Sequence, residues 1–276
     1  MRFTKAHGLG NDFILIDARF CMPRDLGALA RRMCDCKTGV GADGLLLIVP
    51  SEKADIGMRI INSDGSSAEM CGNGIRCFAK YCYERGIVTS GSFTVETLAG
   101  VMRPELLLAD GAVAGVCVDM GKPSFARDSI PMLGEGECID APLEVDGKTL
   151  EVSALLMGVP HTVLFVENAA DPAWMLLGAK IEPHPAFPRH TNVNFAELVG
   201  PNALRVRTYE RGCGPTLACG TGACAVAVAA AKSGRTDRSV AVELALGKLH
   251  ILWEDDGSVK MTGPAELVFD GEYFDA

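Results

Sequence analysis

Residues 70–86 read MCGNGIRCFAKYCYERG, and residues 218–234 read ACGTGACAVAVAAAKSG. An offset of 148 (219 minus 71) lays Cys71 on Cys219, Gly72 on Gly220, Gly74 on Gly222, Ala79 on Ala227 and Gly86 on Gly234. The same offset puts Asn62 on Glu210, Met58-Arg59 on Val206-Arg207 and Gly10 on Gly158. Two CGxG segments arise easily by chance, but one register held from residue 10 to residue 86 marks an internal repeat. The chain therefore reads as two copies of one domain, 1–117 and 118–263. The acidic, aromatic tail 264–276 is expected to pack back on the first half.

Each copy carries similar elements. Phe13 to Ile16, Leu45 to Val49 and Met58 to Ile61 are short apolar runs bounded by Gly, Asp and Asn, which predicts strands. Thr162 to Val166, Leu204 to Tyr209, Val240 to Leu244 and Leu249 to Trp253 do the same in the second copy. Asp110-Gly111 and Asp255-Asp256-Gly257 are hairpin-type turns. Ile75 to Arg85 and Ala223 to Lys232 have few charges and end at Gly86 and Gly234, so both read as helices buried on most sides. The expected fold is α+β: two pseudo-symmetric domains, each a curled mixed sheet or barrel around a central helix.

Composition excludes several function classes. At 276 residues, 48% hydrophobic and 22% charged, the chain is globular and of two-domain size. A net charge of −9 argues against nucleic acid or an anionic membrane surface as a partner. The longest wholly apolar run, Ala223 to Ala231, is far short of the roughly 20 residues that span a bilayer. The opening MRFTKAHGLGNDF shows no apolar signal-peptide core. With eleven cysteines, an odd number, reduced thiols in a cytoplasmic protein are the simplest expectation.

The chemistry concentrates at the two helix starts. A helix N-terminus offers free N–H groups and about half a positive charge, and glycine lets a ligand approach the backbone. A small carboxylate is the expected guest. A cysteine at such a position should have its thiol pKa lowered, by about one unit on the strength of the dipole. One thiolate and one thiol flanking a carbon can remove a proton from one side and deliver one to the other, inverting a stereocentre. Amide donors on the substrate carboxylate would stabilise the carbanion. No pyridoxal-phosphate lysine motif is legible, and Cys34-Asp35-Cys36 lacks the second half of a metal site.

These residues resemble the diaminopimelate epimerase family. The matching stretches are HGLGNDF (7–13), NSDGSSAEMCGNGIRC (62–77), MGVPH (157–161), FPRHTNVNF (187–195) and YERGCGPTLACGTGAC (209–224). The resemblance implies a cofactor-independent isomerase that interconverts LL- and meso-diaminopimelate for lysine and peptidoglycan precursor supply. It implies Cys71 and Cys219 as the two bases, with the amides of Gly72-Asn73 and Gly220-Thr221 on the reacting carboxylate. It implies Asn11, Asn62, Asn192, Glu210 and Arg211 as further substrate contacts, with Arg211 on the distal carboxylate and Glu210 near the amino groups. His161 and Asp43 are auxiliary candidates, and a homodimer is expected. Three positions differ from common family residues: Val159 for Asn, Asp43 for Gln and Pro215 for Glu.

Other readings stay open at this level. Another cofactor-free racemase, of the histidine or proline type, would use the same thiols. Asn73 and the Glu210-Arg211 pair favour diaminopimelate over proline. A thiol redox protein would use Cys71 and Cys219 as a reversible disulfide. The remaining nine cysteines read as buried small hydrophobes. Glu210 and Arg211 are sequence neighbours, so a regular strand would send them to opposite faces unless a turn intervenes.

Overall fold

The computed structural model describes residues 1–274, so residues 275 and 276 of the expected tail lie outside it. The chain forms two compact units. One comprises Met1–Asp119 and the chain from Thr262 onward; the other is Met120–Met261.

The first unit opens with β1 (Arg2–Gly8) and β2 (Asn11–Asp17), joined through Leu9 and Gly10 at φ of 60° and 91°. Helix α1 (Leu26–Met33) follows, then β3 (Gly44–Val49), β4 (Ile56–Asn62) and the two-residue β5 (Ser67–Ala68). Helix α2 (Gly72–Glu84) leads to β6 (Val95–Thr97), β7 (Gly100–Met102), β8 (Glu105–Ala109) and β9 (Ala112–Asp119). The β8–β9 turn is Asp110-Gly111, both residues at positive φ, as a tight two-residue hairpin requires.

The second unit contains β10 (Cys138–Val145), β11 (Lys148–Met157), β12 (Val159–Phe165), α3 (Ala173–Ile181), β13 (Asn192–Gly200) and β14 (Ala203–Glu210). After them come β15 (Gly214–Thr216), α4 (Gly220–Lys232), β16 (Ser239–Leu244), β17 (Gly247–Trp253) and β18 (Val259–Gly263). The last strand, β19 (Glu266–Glu272), belongs to the first unit and pairs antiparallel with β1 along the sheet edge.

The two units repeat one pairing sequence. In the first, β1–β2 is antiparallel, β2–β3 parallel, β3–β4 antiparallel, β4–β6 parallel and β6–β7 antiparallel. In the second, β11–β12, β12–β13, β13–β14, β14–β16 and β16–β17 follow the same alternation. Register is kept as well: Phe13 lies beside Gly44 as His161 lies beside Asn192, and Leu46 opposes Ile60 as Asn194 opposes Thr208. All these pairs obey the offset of 148.

Each parallel pair needs a crossover, and helices supply it. Helix α2 packs on β1, β2, β3, β9 and β19, and α4 packs on β11 to β14, β16 and β17. Both are 13 residues long and start at the glycine after the cysteine, three residues earlier than the apolar runs alone suggest. From Gly222 to Ala230 every residue of α4 is buried. Ala and Val fit there because small side chains let strands close in on all sides. Among the described residues, no helix is long and apolar enough to cross a membrane.

Candidate active site

In the first unit, Cys71 is the N-cap of α2. Its backbone is extended (φ −143°, ψ 117°) and its Sγ accepts from Gly74 N at 3.4 Å. A sulfur thus takes the place usually filled by a Ser or Asp oxygen. The thiol also donates to Asn11 Oδ1 at 3.6 Å, and Asn73 Nδ2 donates to the same oxygen at 3.1 Å. Asn11 Nδ2 in turn donates to Asp43 Oδ2 at 2.6 Å, and Asp43 also accepts from Asp12 N at 3.0 Å. Cys71, Asn11, Asn73 and Asp43 therefore form one hydrogen-bonded chain. Asn62 ends β4 and turns its amide to Ser66 Oγ at 2.9 Å, within its own NSDGS turn.

Sequence reading missed Arg76. It is fully buried, and Nη1 donates to Gly72 O and Asn73 Oδ1, each at 3.0 Å. Nε donates to Pro264 O at 3.1 Å. The guanidinium thus ties the first turn of α2 to the returning tail and aims the Asn73 side chain. An Arg one residue after the CGNGI turn, flanked by Ile75, Cys77 and Phe78, was the available signal, since buried arginine needs a full set of acceptors.

In the second unit, Cys219 caps α4 in the same way (φ −120°, ψ 106°), with Sγ accepting from Gly222 N at 3.3 Å. Thr221 Oγ1 lies 3.5 Å from that sulfur. Glu210 ends β14 and accepts from Thr216 Oγ1 at 2.7 Å, and its carboxylate acts on the Cys219 thiol. The expected lowering of the thiol pKa is corrected here. Burial, then the Glu210 carboxylate, push the Cys219 thiol up, outweighing the help from Thr221 and Gly222 N. Desolvation of a fully enclosed thiolate exceeds what one helix start offers. Cys219 rests protonated.

Arg211 follows β14 in a turn, which removes the strand objection to its pairing with Glu210. Its N–H donates to Asn192 Oδ1 at 2.8 Å, and its exposed guanidinium donates to Arg189 O at 3.0 Å. Val159 opens β12 just after the Gly158 turn and is half-buried. Pro215 sits exposed on β15, paired with Tyr209. His161 is fully buried on β12, and Asn194 Nδ2 contacts its Nδ1 at 3.2 Å. Burial, and next the Arg211 charge, lower the His161 pKa to about 3, so the imidazole is neutral at working pH.

The diaminopimelate epimerase family profile matches residues 3–126 and 153–268, spanning both helix starts and every candidate residue above. The chain belongs to the diaminopimelate epimerase family. Diaminopimelate epimerase of Moorella thermoacetica is 52% identical over 276 residues, covering 99% of each chain. The epimerase fold extends to more distant structures. A phenazine biosynthesis protein of the PhzF family from Bacillus anthracis matches at a TM-score of 0.71 and 17% identity, covering 99% of both chains. A hydroxyproline epimerase from Agrobacterium vitis matches at 0.70 and 18%, covering 98% of this chain and 91% of that one. At such identities the likeness establishes the two-unit α+β fold of the epimerase and nothing about its substrate.

Proposed function

We propose that this isomerase interconverts LL- and meso-diaminopimelate by proton transfer at the α-carbon between Cys71 and Cys219. The supporting observation is the matched capping geometry. In each unit a cysteine Sγ accepts from the third helical N–H, leaving the first two amides for an anion. Gly72 and Asn73 N–H, with Gly220 and Thr221 N–H, would hold the reacting carboxylate. Asn11, Asn62, Asn192 and Arg211 would bind the distal head, and Glu210 an amino group. Four amides and a guanidinium suit a dicarboxylate, and the Asn oxygens suit ammonium groups.

In the turnover that starts from the protonated Cys219, the Cys71 thiolate takes the α-proton as its electron pair moves into the carboxylate. The Cys219 thiol then gives its proton to the opposite face of the carbanion. The products are the inverted centre, a Cys71 thiol and a Cys219 thiolate, so atoms and charge balance. The mechanism requires both thiols to reach one α-carbon from opposite sides, and it calls on no metal or pyridoxal phosphate. The reading also includes a cytoplasmic homodimer supplying lysine and peptidoglycan precursors. The edge strand β19 supports association, because Val268, Phe269 and, just beyond it, Phe274 are exposed there.

The test is incubation of reduced protein with LL-diaminopimelate in D2O with a chelator, and with histidine and proline in parallel. Deuterium at the α-carbon together with meso product, for diaminopimelate alone, is expected. Inversion of histidine or proline instead would move the substrate and implicate Val159. Absence of exchange with all three would refute the epimerase reading.

A further inference from the structure

At three register-matched positions the two units differ in kind. The first unit has Phe13, Leu46 and Ile60, all buried and apolar; the second has His161, Asn194 and Thr208, all buried and polar. Each pair is related by the offset of 148, and the strand pairings place them equivalently. The first unit shows that the scaffold closes with an ordinary apolar cluster here. A buried polar trio is costly unless every group is satisfied, so folding alone does not account for it.

The hydrogen bonds of the trio fix its proton positions. Asn194 Nδ2 lies 3.2 Å from the Thr162 carbonyl oxygen, which only accepts, so the NH2 end of the amide faces it. The opposite end, Oδ1, accepts from Thr208 Oγ1 at 3.0 Å. The other N–H of the same NH2 points to His161 Nδ1 at 3.2 Å, and that ring nitrogen must accept. A neutral imidazole accepting at Nδ1 carries its hydrogen on Nε2. That Nε2 is buried and has no hydrogen-bond partner among the described residues. His161 sits beside Asn192 in the strand register, and Asn194 Oδ1 presses on the first turn of α4 at Gly222, whose N–H bonds Cys219.

We propose that Asn194, anchored by Thr208, is a positioning residue that locks His161 as a fixed Nε2–H donor to an anion formed during turnover. The proposal rests on the epimerase reading for its consequence in catalysis, but not for the tautomer itself. His161 in this arrangement is neither a base nor a proton carrier. It offers one preoriented N–H whose direction Asn194 sets. The amide is packed tightly against the helix start: a Cβ at Gly222 would come within 2.5 Å of Asn194 Oδ1.

The experiment is nitrogen NMR of the full chain labelled at histidine, with the His161 signals assigned by their loss in His161→Gln. The wild type should show Nε2 protonated and Nδ1 bare, unchanged from pH 8 to pH 5. Asn194→Asp, which presents an acceptor to Nδ1, should move the hydrogen to Nδ1. It should also lower kcat for diaminopimelate about a hundredfold, the low end for losing one preorganised donor, with a much smaller change in KM. Thr208→Val is the second variant, milder in volume, and should yield a mixture of tautomers with an intermediate kcat. A wild-type signal with Nδ1 protonated, or an imidazolium at pH 7, overturns the proposal. So does a variant with the shifted tautomer and an unchanged kcat. If the wild type turns over no diaminopimelate, the functional reading falls, while the tautomer measurement still decides the lock.

Discussion

Adding one methyl group at equivalent places in the two units should have unequal effects. Gly74 and Gly222 are both the third residue of their helices, and neither has positive φ, so alanine fits either backbone. At Gly74 a Cβ would meet Leu46 Cδ2 at 3.3 Å, Cys71 Cβ at 3.4 Å and Phe13 Cζ at 3.5 Å. These contacts are tight, but a leucine methyl can yield by a few tenths of an ångström. At Gly222 the Cβ would meet Asn194 Oδ1 at 2.5 Å and both Cys219 Cβ and Sγ at 3.2 Å. Relieving that clash moves an amide held by Thr162, Thr208 and His161. Overpacking of this kind costs about 1–3 kcal/mol, and alanine returns at most about 1 kcal/mol over glycine in a helix. Gly222→Ala should therefore lose up to about 2 kcal/mol net, and more than Gly74→Ala, which should stay close to wild type or gain from the helix propensity of alanine. Urea unfolding at neutral pH measures both. Trp174 and Trp253 both lie in the second unit, so their fluorescence follows it, while circular dichroism follows the whole chain. Asn194→Ala removes the obstructing oxygen, so Gly222→Ala on that background should cost little more. Equal losses at the two glycines, or additivity with Asn194→Ala, would refute the reasoning.

Acid should destabilise the protein through His161. Its folded pKa of about 3 is below the unfolded value near 6.5, so as pH falls the unfolded chain binds the proton first. This contribution to stability is complete above pH 6.5 and falls by about 1.4 kcal/mol per pH unit towards 3, about 2 kcal/mol by pH 5. His161→Gln should lack that slope in urea titrations at pH 7.5 and 5, and parallel curves would contradict the burial argument. Cys71→Ala and Cys219→Ala should each reduce LL-to-meso conversion by about 10²–10⁴-fold, the usual value of one acid–base group; a variant with near-normal turnover argues against two bases. Asp25 caps α1 by accepting from Ala28 N at 3.0 Å, in a left-handed conformation with φ of 42°. Asp25→Ala should cost about 1–2 kcal/mol and Asp25→Gly less, which thermal unfolding can rank.

The repeat made the architecture legible because an offset of 148 is visible in the glycines and cysteines that the turns and helix caps demand. The central helices, most core strands and the Asp110-Gly111 hairpin follow from local patterns that tertiary packing reinforces. Helix α1 was not read, since eight residues with two consecutive arginines carry too short an apolar pattern to stand out. Helix α3 was missed for another reason: AWMLLGAKI is apolar nearly throughout and shows no face. At the site, the cysteines and the Asn11–Asp43 contact concern residues already singled out. The protonation of Cys219 was misjudged because helix-start logic is local, whereas burial and Glu210 arrive through the fold. Asn194 and Thr208 carry no motif of their own; the same offset sets them against Leu46 and Ile60, and only that change of chemical kind marks them in the sequence.

Those changes of kind bear on the proposed reaction. A two-base inversion begins with its thiols in opposite protonation states, and two identical halves would supply identical thiols. This chain keeps the capping geometry identical, with sulfur accepting from the third helical amide at 3.4 and 3.3 Å. It then varies what surrounds the caps. Five residues beyond the cysteine stands buried Arg76 in the first unit and Cys224 in the second. Nine residues before it stand Asn62 and Glu210. Burial and the carboxylate beside Cys219 favour its thiol form, whereas the first helix carries a buried cation on Gly72 O and Asn73 Oδ1. The His161–Asn194–Thr208 trio extends the same asymmetry, adding a fixed donor on the side where the thiol must later give up its proton. Exchanging charges between the halves gives the sharpest test of this argument. Glu210→Gln should let Cys219 ionise at lower pH, measured as thiolate absorbance or alkylation rate against pH. If Glu210→Gln leaves the Cys219 profile where it was, the carboxylate is not what keeps that thiol protonated, and the asymmetry must come from burial alone.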